Sequence, residues 1–239
     1  MSFARNIPGY LFVVENILWA DTYAKRIDTM REQGNIEQEK QYISEVTYKW
    51  AERLMKKWDW SINASGVENL PTGQGVVFVS NHQSYADILP FMYNVPYQCG
   101  FIAKSEFKKV PHFSHWVERI RGIYIDRGDA RSSLKTISEG AEYVKQGFSM
   151  CIFPEGTRSQ SSEMGTFHPG SLKLATKAKA PIVPVTIVNA YKMYEETGII
   201  QKHASFDVVF HDPIYTDTMS RQELAELPKM VEDIVRSAL

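Results

Sequence analysis

The sequence predicts an α/β fold with a largely parallel central sheet and helices on both of its faces, preceded by an N-terminal two-helix hairpin. After about residue 70, short apolar segments alternate with helical patterns, which implies a mainly parallel sheet covered on both sides. Residues 1–62 instead show apolar residues at helical spacing and no strand-like alternation. A chain of 239 residues is long enough for one such domain with appendages.

Composition and charge narrow the class of protein. Apolar residues make up 44% of the chain and charged residues 23%, which is typical of a globular protein. The net charge of −1 gives no general preference for nucleic acid, so no nucleic-acid partner is expected. The two cysteines, Cys99 and Cys151, lie far apart in apolar segments, and we expect buried, reduced thiols of a cytosolic protein.

No membrane-spanning or secretory segment is expected from the sequence. A run of about 18 uninterrupted apolar residues, which a transmembrane helix requires, does not occur. The apolar stretch near the N-terminus is interrupted at Glu15, and no small-residue cleavage site follows it at the distance expected of a signal peptide.

The N-terminal hairpin is predicted from two helical patterns. The first runs from Ile7 to Tyr23 and the second from Ile36 to Trp60, and Gly-Asn at residues 34–35 separates them. We therefore divide the chain into a helical hairpin over residues 1–62, expected to associate with a membrane, and an α/β domain over residues 63–239.

The second helix of this hairpin allows two interpretations. Its three tryptophans, Trp50, Trp58 and Trp60, stand among lysines, and residues 40–57 contain five basic and two acidic residues. Tryptophan beside lysine suits the headgroup level of an anionic bilayer. Alternatively, the tryptophans pack on the α/β domain and the lysines are simply solvated.

The remaining elements follow from the alternating patterns. Strands are predicted over Val76–Ser80, Gly100–Ala103, Gly122–Ile125, Met150–Phe153, Ile182–Val188 and Phe206–Phe210. Helices are predicted over residues 84–94, 112–119, 130–146, 170–178 and 220–238.

Residues 81–87, Asn-His-Gln-Ser-Tyr-Ala-Asp, come directly after the first of these strands. The side chains of His82 and Asp87 would point about 140° apart on a regular helix. They can meet only if His82 precedes the helix and Asp87 lies in its first turn. The S-x-x-D pattern from Ser84 has the form of a capping box and would start a helix there. Asp87 is therefore either a helix cap beside an ordinary loop histidine or the partner of a general base.

Two further charged segments follow predicted strands. Residues 153–159 read Phe-Pro-Glu-Gly-Thr-Arg-Ser, and residues 122–127 read Gly-Ile-Tyr-Ile-Asp-Arg. Proline and glycine favour a tight turn at the first segment, where a guanidinium and hydroxyl groups suit a phosphate. Between Lys104 and Arg131, seven basic residues face four acidic ones, which favours an anionic ligand. Each segment alone is also compatible with an ordinary polar turn.

In combination, these motifs are specific. The order N-H-x4-D, G-x-Y-I-D-R, F-P-E-G-T-R-S and V-P-V, within residues 81–185, resembles the glycerolipid acyltransferase family. It is most similar to the bacterial 1-acyl-sn-glycerol-3-phosphate acyltransferases, and the N-terminal hairpin matches the helical membrane motif of that family. One departure is the segment at residues 167–170, Phe-His-Pro-Gly, where relatives often carry a lysine.

The resemblance implies a mechanism. His82 would take the proton of the free 2-hydroxyl of lysophosphatidic acid, which then attacks an acyl thioester to give phosphatidic acid. Asp87 would hold the histidine tautomer and stabilise the imidazolium, as in Ser-His-Asp triads. Asn81 and Ser84 are expected to shape the turn.

The resemblance also implies how the acceptor phosphate is bound. Glu155 is expected to orient the arginines around it. The substrate-binding residues implied are Lys104, Arg127, Glu155, Gly156, Thr157 and Arg158.

The implied partners are an acyl donor and a membrane. The donor is acyl-CoA or acyl-carrier protein, no cofactor is implied, and the protein is expected on the cytoplasmic face of the cell membrane, as a peripheral or monotopic protein. His112 and His115 lie three residues apart, but no carboxylate or cysteine completes a metal site. A different class of function, a lipid-binding scaffold that keeps this fold, is disfavoured by the intact His82 and Asp87.

Overall fold

Seven strands form one mixed sheet in the part of the chain that the structure describes. The structure, a computed structural model, describes residues 2–126, 130–168 and 170–239. The strands are β1 Ser61–Ser65, β2 Val77–Ser80, β3 Cys99–Lys104, β4 Ile123–Ile125, β5 Ser149–Ile152, β6 Ile182–Val188 and β7 Ser205–Phe210. Across the sheet they follow the order β1-β7-β6-β2-β5-β3-β4. Among these strands, only β6 and β7 pair antiparallel; every other neighbouring pair is parallel.

Helices cover both faces of the sheet, as the sequence predicts. The α-helices are α1 Ser2–Glu32, α2 Ile36–Trp58, α3 Leu89–Tyr93, α4 Phe113–Arg119, α5 Ala130–Lys145, α6 Lys173–Ala178 and α7 Arg221–Arg236. Alternate residues of β2 point to opposite faces: Phe78 belongs to a core with α2 and α3, and Val77 and Val79 belong to a core with α5, α6 and α7. The α/β fold class predicted from the sequence is confirmed.

The N-terminal hairpin packs on one face of the sheet. Gly34 has φ of +70°, a conformation that favours glycine, and it turns the chain between α1 and α2. Glu39 of α2 is 1% exposed and receives hydrogen bonds from Arg31 of α1 (2.9 Å) and from Arg121, which follows α4 (2.7 and 2.8 Å). Two arginines satisfy this buried carboxylate, so the hairpin is tied to the α/β domain by a closed ion-pair network.

The tryptophans of α2 and the residues after it support the packing interpretation. Trp58 is 6% exposed and lies in the core, and Trp50 and Trp60 pack against that core. The indole N–H of Trp60 donates to the carbonyl of Gln201 at 2.8 Å. These rings are directed at the domain. Of the exposed large apolar side chains of the hairpin, Tyr48 lies on α2, and four lie on α1: Ile7, Leu11, Val14 and Leu18.

One strand and one helix differ from the sequence-based expectation. Strand β1 was not predicted, because Ser-Ile-Asn-Ala-Ser contains no apolar run; it is an edge strand that pairs with β7 alone. It spans residue 62, where the hairpin was expected to end, so that division stays a prediction. The helix expected over residues 84–94 is a 3₁₀ helix at Tyr85–Ile88 followed by α3. Pro90 has no N–H to donate to residue 86, so an α-helix cannot run through this point.

Two further observations concern the cysteines, which were expected to be buried thiols, and the hydropathy of the helices. Cys99 and Cys151 are free and buried, and burial raises the pKa of both thiols. Within residues 2–126, 130–168 and 170–239, no helix is both long enough and apolar enough to span a membrane.

Candidate active site

The motif segments meet at the carboxyl edge of the sheet. Strands β2 and β5 are parallel neighbours, so the segments after them, residues 81–87 and 153–159, leave the sheet at the same edge. The backbone N–H of His82 donates to Glu155 Oε1 at 2.6 Å, and the backbone N–H of Ser159 donates to the His82 carbonyl at 2.8 Å. The two motifs therefore form one site rather than two separate turns.

His82 and Asp87 form a direct hydrogen bond. The distance from His82 Nδ1 to Asp87 Oδ2 is 2.6 Å, and the Asp87 side chain is completely buried, whereas 20% of the His82 side chain is exposed. Asp87 Oδ2 also accepts the backbone N–H groups of Gln83 (2.6 Å) and Ser84 (2.8 Å). A carboxylate whose oxygen takes part in three hydrogen bonds is held in one orientation.

The helix cap and the His–Asp pair are the same piece of structure. Ser84 Oγ accepts the backbone N–H of Ala86 at 3.0 Å while the Ser84 N–H donates to Asp87, which completes a capping box. The short 3₁₀ turn after Ser84 returns Asp87 towards His82. The cap and the contact therefore exist together: Asp87 caps the helix and also contacts the histidine, and the role of His82 as a general base stays a prediction.

The imidazole of His82 is fixed in plane as well as in direction. Its ring stacks on Phe153, with the centroids 4.0 Å apart and an interplanar angle of 16°. Because Nδ1 faces Asp87, its proton is assigned to that hydrogen bond and Nε2 is left as the basic nitrogen. In this tautomer, Nε2 is the nitrogen that can accept a proton from a substrate hydroxyl.

Asn81 and Gln83 anchor the loop to the neighbouring strand. Asn81 is 1% exposed and bonds Ile187 twice: its Nδ2 donates to the carbonyl at 2.8 Å and its Oδ1 accepts the N–H at 2.7 Å. Gln83 Oε1 accepts the backbone N–H of Ala190 at 3.1 Å. Asn81 therefore shapes the turn, as the sequence predicts, and Gln83 is a supporting residue that sequence reasoning did not single out.

Glu155 holds the loops of the site together. Its Oε1 accepts the His82 N–H and its Oε2 accepts the Gly165 N–H at 2.7 Å. Burial raises the pKa of the Glu155 carboxyl, and these two hydrogen bonds oppose the increase. The expectation that Glu155 orients an arginine is not what the structure shows for Arg158, because its carboxylate partner is Glu195.

The other residues of this turn leave two groups near solvent. Gly156 is buried and has φ of +74°, which favours glycine, so the turn is tight. Thr157 is exposed, and the Arg158 side chain is 22% exposed. The Arg158 guanidinium donates to Glu195 Oε1 at 2.7 Å and lies 3.4 Å from the ring centroid of Tyr85. This arginine is held in place while part of it still faces solvent.

Of the other two cationic residues predicted to bind the substrate, the structure describes Lys104 but not Arg127. Lys104 is the last residue of β3, is exposed, and lies in register with Ile125 of β4 at the same edge of the sheet. Arg127 lies outside the described residues, so its contact with a phosphate stays a prediction. At the departure from the family pattern, Phe167 is buried and donates its N–H to Glu232, and His168 is exposed.

Three other histidines have partners outside the motif segments. His112 Nδ1 lies 2.5 Å from Asp21 Oδ2 on α1, and His203 Nδ1 lies 2.7 Å from Asp59 Oδ2. His211 Nε2 lies 2.8 Å from the Thr186 hydroxyl, and burial lowers its pKa. Across residues 2–126, 130–168 and 170–239, no three His, Cys, Asp or Glu side chains are grouped as a metal site would require.

Comparison with known proteins agrees with the site. A crystal structure of the 1-acyl-sn-glycerophosphate (LPA) acyltransferase PlsC from Thermotoga maritima superposes with a TM-score of 0.77 at 26% identity, over 98% of this chain and 95% of that one. A 1-acyl-sn-glycerol-3-phosphate acyltransferase from Borreliella burgdorferi is 30% identical over 175 residues, which are 72% of this chain and 69% of that protein.

Plant relatives are similar over a shorter part of their length. A chloroplastic 1-acyl-sn-glycerol-3-phosphate acyltransferase from Brassica napus is 34% identical over 160 residues, 65% of this chain. The chain spans 46% of that protein and 44% of a chloroplastic relative from Arabidopsis thaliana, less than half of each. The sequence model of the family described as Acyltransferase matches residues 61–188, from β1 to the end of β6, and the chain belongs to that family.

Proposed function

We propose that this protein moves a fatty acyl group from an acyl thioester to the 2-hydroxyl of 1-acyl-sn-glycerol 3-phosphate and so forms phosphatidic acid in phospholipid biosynthesis. The observation that carries the proposal is the hydrogen bond of 2.6 Å between His82 and the fully buried Asp87 at the edge of the sheet. The relatives named above, which are 1-acyl-sn-glycerol-3-phosphate acyltransferases, support the choice of reaction.

In the proposed reaction, His82 is the general base. Its Nε2 takes the proton of the acceptor hydroxyl while that oxygen attacks the thioester carbonyl. The carbon–sulfur bond then breaks, and the imidazolium returns its proton to the departing thiolate. Asp87 stabilises the imidazolium because its negative charge lies against Nδ1 throughout. The acyl group passes directly from sulfur to oxygen, so no covalent intermediate with the protein is required.

The charges at the carboxyl edge suit a phosphate-bearing acceptor. Arg158 has one N–H on Glu195 and keeps further donors for a phosphate, and a guanidinium matches phosphate geometry. Thr157 adds an exposed hydroxyl on the same turn, and Lys104 adds an exposed ammonium at the end of β3. Glu155 and Gly156 contribute by fixing the turn, and we include Arg127 in this set as a prediction.

The acceptor and donor are tested together in one assay. The full chain would be given lysophosphatidic acid, a lysophospholipid with a phosphodiester headgroup, or monoacylglycerol, each with acyl-CoA or with acyl-carrier protein. We expect the fastest transfer to lysophosphatidic acid, read as thiol release and as labelled phosphatidic acid. No transfer to any of the three acceptors would contradict the proposal and favour a lipid-binding scaffold.

We also propose that α1 attaches the protein to the cytoplasmic face of the cell membrane as a peripheral or monotopic protein. Ile7, Leu11, Val14 and Leu18 are between 42% and 64% exposed. They follow a spacing of three and four residues, so they form one apolar stripe along the helix. An exposed stripe of this kind suits the boundary between lipid headgroups and acyl chains.

Flotation with liposomes tests the role of this stripe. A Leu11→Glu, Val14→Glu variant is expected to lose most of the binding to anionic liposomes that the full chain shows. The matched control is Leu134→Glu, because Leu134 is a similarly exposed leucine (56%) on α5, on the other face of the sheet. Equal binding of the wild type and the α1 variant would contradict this attachment.

A further inference from the structure

A buried carboxylate outside every sequence motif contacts both halves of the site. Glu195 follows β6 and the 3₁₀ helix at Ala190–Met193, and its side chain is 2% exposed. Its Oε2 accepts the hydroxyl proton of Ser84 at 2.6 Å. Its Oε1 accepts the backbone N–H of Tyr85 at 3.0 Å and the Arg158 guanidinium at 2.7 Å. All of these partners belong to the two motif segments of the site.

The contact with Ser84 bears on the general base. Ser84 is the cap residue that positions Asp87, because its N–H donates to Asp87 and its Oγ accepts from Ala86. The hydroxyl proton must point away from Ala86 for Oγ to accept that N–H. Glu195 accepts the hydrogen bond that this hydroxyl donates, so it fixes the direction of the hydroxyl and supports the cap.

The contact with Arg158 bears on the phosphate. The guanidinium lies against the ring of Tyr85, and Glu195 bonds its Nη1. Without the carboxylate, a partly exposed arginine would lose the charged partner that limits it to one rotamer. Glu195 thus selects the arginine position from which the remaining donors face outward.

The segment that carries Glu195 is itself fixed to helix α1. Asn6 is 2% exposed; its Nδ2 donates to the Gly198 carbonyl at 2.7 Å and its Oδ1 accepts the Ile200 N–H at 3.0 Å. The hydroxyl groups of Tyr10 and Tyr194 lie 2.9 Å apart. The segment that carries Glu195 is therefore held by α1, independently of the contacts that Glu195 makes with the loop and the arginine.

We propose that Glu195 is a positioning residue for the acyl transfer, which sets the distance between the His82–Asp87 pair and Arg158. That distance decides whether an acceptor with its phosphate on Arg158 brings its hydroxyl to His82. The role rests on the function proposed above, since it assigns these two ends of the site to the hydroxyl and the phosphate of one acceptor.

Two substitutions separate the effects on the arginine and on the cap. Glu195→Gln keeps the size of the side chain and an acceptor oxygen for Tyr85 and Arg158. It removes the charge, and its amide N–H keeps a contact with Ser84 only by donating to Oγ, where Oε2 had accepted from it. We expect KM for lysophosphatidic acid to rise about tenfold, with kcat within about threefold of the wild type. Glu195→Ala removes every side-chain contact with Ser84, so we expect kcat to fall about tenfold further.

The matched control is Glu39→Gln. The side chain of Glu39 is as buried as that of Glu195 and is bonded to two arginines, where Glu195 is bonded to one. Glu39 lies on α2 in the hairpin. Its substitution is expected to lower the melting temperature and to leave KM and kcat per folded molecule unchanged. A purely structural role of Glu195 would give this same pattern, so a KM unchanged in Glu195→Gln would overturn the positioning role.

The outcomes distinguish the role of Glu195 from the function itself. An active wild type with unchanged kinetics in Glu195→Gln would overturn the positioning role alone. A wild type without transfer to lysophosphatidic acid would overturn the proposed function and this role with it. If Glu195→Ala does not fold, the KM of Glu195→Gln decides the question without it.

Discussion

Two His–Asp pairs of this protein have nearly the same geometry and very different surroundings. His82 and Asp87 lie 2.6 Å apart at the carboxyl edge of the sheet, and His203 and Asp59 lie 2.7 Å apart where the hairpin meets the domain. Both side chains of the second pair are 77% exposed, whereas Asp87 is completely buried. The distance between a histidine and a carboxylate therefore does not identify a general base.

What distinguishes the first pair is that its orientation is fixed. Asp87 accepts two backbone N–H groups besides the imidazole, and the ring of His82 stacks on Phe153. The exposed pair has water as a competitor for each hydrogen bond, and it is worth little to stability or chemistry. The comparison predicts that equivalent substitutions in the two pairs have unequal effects on turnover.

The largest difference is expected for removal of the histidine. His82→Ala should lower kcat by about a thousandfold, since it removes the group that takes the hydroxyl proton. His203→Ala should leave kcat within about twofold of the wild type. The measurement is the initial rate of thiol release with lysophosphatidic acid. A His82→Ala enzyme that retains a tenth of the wild-type rate would contradict the role of this histidine.

A smaller difference is expected for the carboxylates. Asp87→Asn keeps the shape of the side chain but loses the charge beside the imidazolium, so kcat should fall about a hundredfold or more. KM for the acceptor should change little, because Arg158 and Glu195 are untouched. Asp59→Asn is the control and should leave both constants unchanged. Similar losses in the two variants would mean that the buried pair has no special role in the reaction.

The features predicted from the sequence are those that depend on near neighbours in the chain. The His82–Asp87 contact was predictable because a capping box brings residues five apart together. The strands that position the motifs were predictable because each central strand is an apolar run. Edge strand β1 has no such run, since only Ile62 and Ala64 of its five residues are apolar.

The features that were not predicted depend on contacts between distant parts of the chain. Glu195 lies 111 residues from Ser84 and 37 from Arg158, and nothing in its local sequence marks it as part of the site. The direction of the α2 tryptophans was open for the same reason, because a helical stripe shows that one face is apolar but not what covers it. Which surface faces a membrane could be argued only when the packing of α1 was known.

A moderate effect is expected at Phe153, whose ring stacks on His82 and also contacts Phe91 of the core. Phe153→Leu removes the ring on which the imidazole stacks but keeps an apolar side chain. Aromatic contacts of this kind are worth about 0.5–1.5 kcal/mol. We therefore expect kcat to be lower than that of the wild type by a factor between a few-fold and about tenfold. Phe153→Tyr keeps the stack and should stay near the wild type. Equal activity of the leucine and tyrosine variants would show that the stack does not fix the base.

The smallest effect on turnover is expected at a third His–Asp pair, Asp21 and His112. The burial of its aspartate is intermediate between that of Asp87 and that of Asp59, so this pair sharpens the comparison. Asp21 on α1 is 25% exposed, lies 2.5 Å from His112, and accepts the indole N–H of Trp116 at 2.7 Å. These contacts join α1 to α4 and do not reach the carboxyl edge.

Asp21→Asn should therefore lower the free energy of unfolding by about 1 kcal/mol, with kcat per folded molecule unchanged. In a chain of this size that corresponds to a fall of about 2–4 °C in melting temperature, which calorimetry can resolve. Asp59→Asn, in the fully exposed pair, should not shift the melting temperature measurably. A lower turnover of Asp21→Asn without a loss of stability would contradict this prediction. The burial of a His–Asp pair would then no longer explain why the pairs differ in their effect on turnover.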